Sequence, residues 1–177
     1  MTLRTQEGTV EATISGTLVA VTKKLPYEGW EQFTPLVEEC VRAYAEVYPS
    51  TVLRSAAVHY ENLIVLPSSQ DVTSFIPALG IAIASSPFHF QSGFFSANYT
   101  DEEGGSVSVN AVRYTEREGK QVLVNLTLHS YGPEFPDETP LLSYRQPIDV
   151  AREHATRQFE AMISDDARSL LGLRDGS

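Results

Sequence analysis

Cysteine is nearly absent from this chain of 177 residues, since Cys40 is the only one. A single cysteine excludes an intrachain disulfide, and the apolar helical positions around Cys40 favour a small packed side chain over a reactive thiol. Long apolar runs are also missing, because no stretch reaches the roughly 18 apolar residues of a membrane-spanning helix. Residues 1–4 carry no apolar signal region. We therefore expect a cytoplasmic protein that has no membrane contact.

Basic residues are scarce as well. The chain has 13 Lys and Arg against 23 Asp and Glu, so its net charge is −10, and the longest basic run is Lys23-Lys24. An acidic surface repels a phosphate backbone, so nucleic acid is not an expected partner. The apolar fraction of 42% and the charged fraction of 20% are those of an ordered globular protein.

Signatures of catalysis and of cofactor binding are missing too. The sequence contains no G-x-S-x-G, G-x-G-x-x-G or Walker motif, and the acidic run at 101–103 lacks the spacing of a calcium loop. No histidine falls in the H-x-x-x-H spacing of a helical metal site. The sequence therefore predicts no metal and no cofactor. The four histidines are His59, His89, His129 and His154.

Hydrophobic periodicity predicts an α+β fold. Strands are expected at 52–66, 94–100, 107–115 and 121–130, with helices near 30–48 and 148–163. Residues 9–22 read as one bulged strand or as two short strands. The resulting β-α-β4-α order has four consecutive strands between the helices, and it predicts one curved antiparallel sheet packed on both helices. This topology resembles TATA-binding-protein-like folds or, more loosely, helix-grip folds. We expect a single domain over 1–177, with an irregular insertion at 68–90 and a frayed tail at 173–177.

Helix ends can be predicted at two places. Thr34-Pro35 suits an N-cap and first helical residue, although a helix that begins at Trp30 also tolerates Pro35 in its first turns. Ser164, followed by two aspartates, is expected to cap a final short helix.

One sheet face is expected to stay free. In strand 121–130 the apolar residues alternate with polar ones, which leaves Asn125, Thr127 and His129 on the open side. A phase shift in strand 107–115 predicts a bulge near 111–112. Aromatic residues are dense at 75–99, where exposure would form a contact surface. The members of that aromatic group are Phe88, Phe90, Phe94, Phe95 and Tyr99.

His59 and Glu61 are two residues apart, so they share one face of a strand. Such a pair can act as acid and base or as two ligands, and its simpler interpretation is a hydrogen bond or ion pair on the strand. His154, beside the apolar stripe of the last helix, is expected to be hydrogen-bonded if it is buried.

Three segments of the sequence resemble a known family. Residues 25–33 (LPYEGWEQF), residues 57–67 (AVHYENLIVLP) and residues 151–159 (AREHATRQF) are similar to the "Y-x-x-W" helix start, the "L-R-Y-I-N-x-I" strand and the "H-x-x-x-x-F" closing helix of a sporadically distributed family of uncharacterised bacterial and archaeal proteins. The likeness spans 18–172, the C-terminal two-thirds of the family. Asn62 and His154 match its pattern, whereas His59 and Glu61 depart from it. The resemblance implies a bacterial cytosolic protein and no reaction.

Three functions remain open from the sequence. The first is a non-enzymatic binding module that forms a homodimer or binds another protein. Its contact surface would be the open sheet face or an edge strand. The second is a small-molecule pocket between the sheet and the last helix. The third is an enzyme that uses scattered His and Glu side chains. The candidate ligand- or partner-binding residues are His59, Glu61, Asn62, Asn125, Thr127, His129 and His154.

Overall fold

The structure is a computed structural model that describes residues 1–24, 28–67, 72–77, 92–100, 106–117, 121–132, 135–136 and 138–171. The chain divides into two compact units. The N-terminal unit comprises Met1–Arg54 and Phe135–Tyr144, and the C-terminal unit comprises Ser55–Glu134 and Arg145–Ser177. The single domain predicted for 1–177 stays a prediction. Most of the insertion predicted at 68–90, and all of the tail predicted at 173–177, lie outside the described residues.

The N-terminal unit contains a three-stranded antiparallel sheet in the order β1-β2-β3. Its strands are β1 (Thr2–Arg4), β2 (Val10–Ile14) and β3 (Val19–Lys23). Of the two alternatives for 9–22, two short strands are therefore confirmed. The Ser15 amide donates to the Leu18 carbonyl at 2.9 Å and closes the hairpin between β2 and β3.

Helix α1 (Trp30–Val47) packs on β3 and on a 3-10 helix at Leu141–Tyr144. Its N-cap is Gly29, which adopts φ 111°, a left-handed conformation that favours glycine. The N-cap predicted at Thr34 is wrong, and the alternative start at Trp30 is right. The Thr34 hydroxyl instead donates to the Trp30 carbonyl at 3.1 Å, inside the helix.

The C-terminal unit contains a four-stranded antiparallel sheet in the order β4-β7-β6-β5. Its strands are β4 (Ala57–Pro67), β5 (Ser92–Thr100), β6 (Ser106–Arg117) and β7 (Gln121–Tyr131). The predicted meander of the last three strands is confirmed. The β6–β7 register shifts between Val109 and Ala111, close to the bulge predicted at 111–112.

The described part of this unit also contains three α-helices: α2 (Val72–Phe75), α3 (Arg145–Met162) and α4 (Asp165–Leu170). Helix α3 packs on β7, β4 and β6, and α4 packs against α2. The Ser164 hydroxyl accepts a hydrogen bond from the Ala167 amide at 3.2 Å, so the predicted cap of the last helix is confirmed. The core consists of Ile64, Leu66, Phe75, Ile76, Val124, Leu126, Leu128, Met162, Ile163 and Ala167.

The predicted α+β class with antiparallel sheets is thus confirmed, but the strands form two sheets and not one. Strand β1, absent from the prediction, belongs to the additional small sheet, and this sheet is the one on which α1 packs. The likeness to TATA-binding-protein-like or helix-grip folds stays a prediction. Within the described ranges, no helix is both long and apolar enough to cross a membrane.

Candidate functional site on the outward sheet face

The four-stranded sheet has one face on the core and one face that we call the outward face. Side chains of a strand alternate between the two faces. In β7 the core side holds Val124, Leu126, Leu128 and Ser130, all buried, whereas the intervening side chains are half-buried. The alternation predicted for β7, with Asn125, Thr127 and His129 on the open side, is therefore confirmed. The described side chains of the outward face are Ala57, His59, Glu61, Leu63, Val65, Asn98, Asn125, Thr127, His129 and Tyr131.

Strand register places residues from distant parts of the chain directly opposite each other. His59 of β4 pairs with His129 of β7, and Glu61 pairs with Thr127. This antiparallel ladder runs without interruption from Ala57↔Tyr131 to Pro67↔Gln121. Directly opposed side chains in such a ladder are about 5 Å apart at Cβ, so each pair is held in contact.

The two histidines form the centre of the site. Their Nδ1 atoms are 3.4 Å apart, and their rings meet edge to face, with centroids 5.3 Å apart and an interplanar angle of 85°. The His129 ring also stacks on Tyr131, with centroids 4.7 Å apart. Burial lowers the pKa of His129, and the neighbouring His59 lowers it further. With one ring as the Nδ1–H tautomer, that nitrogen donates to the other, so the pair is compatible with neutral imidazoles.

Glu61 interacts across the strands with Asn125. The Asn125 Nδ2 donates to Glu61 Oε1 at 3.1 Å, along a diagonal of the ladder. The Asn125 Oδ1 atom is buried and has no hydrogen-bond partner among the described residues. His59 and Glu61 share the outward face as predicted, but the hydrogen bond of each goes to β7, to His129 and Asn125 respectively.

Apolar side chains extend the site at both of its ends. Leu63 is 63% exposed and Val65 is 47% exposed at one end, and Tyr131 is 42% exposed at the other. Sequence reasoning missed this apolar contribution, because the polar residues around Tyr60 obscured the period of β4. In the structure the alternation of β4 is regular. Every second residue from Val58 to Leu66 is buried or half-buried, and the four residues between them are exposed.

Two candidate residues lie elsewhere. Asn62 has the strand phase of Ile64 and Leu66, and its Nδ2 donates to the Leu126 carbonyl at 3.3 Å. His154 is buried in α3. The structure therefore brings together five of the seven candidates on the outward face and separates Asn62 and His154 from them.

Of the aromatic group predicted as a contact surface, Phe88 and Phe90 lie outside the described residues. Phe94 and Phe95 belong to β5, and Tyr99 on the same strand is exposed. The segment as a contact surface stays a prediction.

Two other regions of the molecule are relevant to ligand binding. The space between the four-stranded sheet and the helices is packed with fully buried side chains such as Leu66, Leu126 and Leu128. An open groove of about 480 Å³ runs along α1, between Pro35 and Glu46, and four of its six lining residues are charged. The small-molecule pocket expected between sheet and last helix stays a prediction.

Comparisons of the chain with protein-family models, with curated proteins and with solved structures find no significant match. The resemblance to the family of uncharacterised bacterial and archaeal proteins stays a prediction, and Tyr27 of its helix-start motif lies outside the described residues.

Proposed function

We propose that the protein is a cytoplasmic, non-enzymatic binding module that self-associates through the outward face of its four-stranded sheet. The observation that carries this proposal is the exposure of Leu63, Val65 and Tyr131 on one regular sheet face. Single exposed apolar side chains are common on proteins, but this face carries three of them, two of which are neighbours on β4, and a partner can cover that apolar area.

The geometry of the face supports a flat, extended contact. Leu63 and Val65 are neighbours on one side of β4, about 7 Å apart along the strand. Tyr131 lies six positions from Asn125, the register partner of Leu63, and so about 20 Å away along β7. The polar row between them, His59, His129 and Thr127, can supply hydrogen bonds while the apolar ends are desolvated.

Charge also favours contact between two copies through this face. The chain carries a net charge of −10, so identical copies repel each other at most orientations. Among the described side chains of the outward face, Glu61 is the one carboxylate, and it accepts a hydrogen bond from Asn125. A contact of two identical faces is isologous, so each copy covers the apolar ends of the other.

The test compares two leucines of equal exposure. Sedimentation velocity of the wild-type chain over a range of concentrations is expected to show a dimer of two 19.5-kDa chains. Leu63→Lys places a charge in the contact and is expected to weaken the dimer by about tenfold or more, which is about 1.4 kcal/mol of binding free energy. Leu142→Lys is the matched control, because Leu142 is 60% exposed but lies on the 3-10 helix of the N-terminal unit.

Two results would refute the proposal. One is a wild-type chain that stays monomeric at millimolar concentration. The other is a dimer that Leu63→Lys and Leu142→Lys weaken equally. Neither leucine is buried, so both variants are expected to retain the wild-type fold. Circular dichroism of both variants checks this.

A further inference from the structure

The strongest unassigned feature of the molecule is the cross-strand histidine pair. His59 and His129 have their Nδ1 atoms 3.4 Å apart, and both rings belong to the outward face. We propose that this pair is a bidentate binding site for a zinc ion, with Nδ1 of each ring as a ligand. Both ligands belong to one chain, so the site is complete in a single copy, and it is accessible in the monomer because self-association would cover the same face.

The separation of the two nitrogens matches the geometry of zinc. Zinc binds imidazole nitrogen at about 2.0–2.1 Å in a tetrahedral arrangement, so two such nitrogens are about 3.3 Å apart. A square-planar ion with the same bond length requires neighbouring nitrogens about 2.9 Å apart. The observed separation of 3.4 Å therefore agrees with that of two imidazole nitrogens on a tetrahedral zinc ion.

The surrounding structure holds the two rings in place before any ion arrives. The residues are direct partners in a ladder that continues on both sides of them, from Ala57↔Tyr131 to Pro67↔Gln121. The His129 ring is stacked on Tyr131 at 4.7 Å, which restricts its rotation. Once an ion binds one ring, its binding to the second ring is intramolecular. The translational entropy of association is therefore lost once for two ligands.

The site is open. Among the described residues, no group of three or more His, Cys, Asp or Glu is arranged to hold a metal ion. Glu61, the nearest carboxylate on the same strand face, is hydrogen-bonded to Asn125. Two coordination positions are therefore left for water, one more than in catalytic zinc sites with three protein ligands.

The experiment is isothermal titration calorimetry of the full chain with zinc chloride near pH 7.5, about one unit above the ordinary histidine pKa. Each of His59→Gln and His129→Gln is expected to weaken zinc binding by about tenfold or more, because the second ligand then no longer binds intramolecularly. Both variants keep His89 and His154. A loss of zinc affinity in either variant therefore assigns the site to the substituted histidine. His89→Ala is the matched control, because it removes an imidazole that is not part of the proposed pair.

Cobalt(II) adds a readout that reports geometry. The wild-type chain with Co²⁺ is expected to show the intense visible absorption of a tetrahedral complex, and both glutamine variants are expected to lose it. The proposal is overturned if the glutamine variants bind zinc as tightly as the wild type does, if His89→Ala weakens binding as much as they do, or if the cobalt spectrum is octahedral. Circular dichroism of the metal-free variants shows whether each is folded, and each single variant tests the pair independently of the other.

Discussion

Removal of the Ser130 hydroxyl is expected to stabilise the protein. Ser130 lies on the core side of β7, in phase with Leu126 and Leu128, and it is 0% exposed. Its Oγ atom has no hydrogen-bond partner among the described residues. The backbone of Ser130 pairs with Val58 and Val107 on the neighbouring strands, and Ser130→Ala leaves that pairing intact.

The expected gain follows from two opposing terms. Burial of a hydroxyl without a hydrogen bond costs about 1–3 kcal/mol in protein mutants, and the substitution to alanine removes this cost. Loss of one oxygen atom forfeits a few contacts of about 0.1–0.2 kcal/mol each. The net change is an increase of about 1 kcal/mol in the free energy of unfolding. For a chain of this length, that corresponds to an increase in Tm of about 2–4 °C.

Ser164→Ala is the matched control, because it deletes the same atom from a serine that uses it. The Ser164 hydroxyl accepts from the Ala167 amide at 3.2 Å as the N-cap of α4. Its loss is expected to lower the free energy of unfolding by about 1 kcal/mol. Deletion of a serine hydroxyl is therefore expected to raise the free energy of unfolding at Ser130 and to lower it at Ser164. The two variants are expected to differ by about 2 kcal/mol.

The assay is urea denaturation followed by far-ultraviolet circular dichroism, with equal m-values required of all three proteins. Far-ultraviolet dichroism is the appropriate signal because the one tryptophan, Trp30, lies in the N-terminal unit and both serines lie in the C-terminal unit. A Ser130→Ala variant less stable than the wild type by about 1 kcal/mol would refute the reasoning, since it would mean that the hydroxyl is satisfied.

Three further predictions follow from packing and from acid–base chemistry. Gly132→Ala would place a Cβ 2.6 Å from the Pro147 carbonyl oxygen, so β7 and α3 must separate, and a loss of about 1–3 kcal/mol is expected in the same urea assay. Leu126→Ala empties a fully buried position between sheet and helices and is expected to cost about 2–5 kcal/mol by the same measurement. Burial and the Glu39 charge raise the pKa of the Cys40 thiol above 9.0, so its alkylation by iodoacetamide at neutral pH is expected to be slower than that of a free thiol, and faster in Glu39→Gln.

Much of the architecture was predictable from sequence, because its signals are local. The alternation in β7, the meander of β5 to β7, the extent of α1 and the Ser164 cap each depend on residues a few positions apart. The start of α1 was ambiguous because Thr34-Pro35 is a good capping pair. In the structure the helix begins at Trp30, and Gly29, whose backbone is left-handed, is its N-cap.

The second sheet and the histidine pair were not predictable in the same way. The short strand β1 has three residues, all exposed, and therefore no hydrophobic period. His59 and His129 are 70 residues apart in sequence. Their contact depends on a register that the sequence pattern leaves undetermined, since a shift by one residue moves each side chain to the opposite face.

Self-association through the outward face is tested most directly by nuclear magnetic resonance of the leucine and valine methyl groups as the chain is concentrated. The proposal predicts that the methyl resonances of Leu63 and Val65 shift with concentration, whereas those of Leu18 and Leu142, exposed on the N-terminal unit, stay constant. Constant Leu63 and Val65 resonances at concentrations where sedimentation shows a dimer would contradict it, because the contact would then lie on another surface.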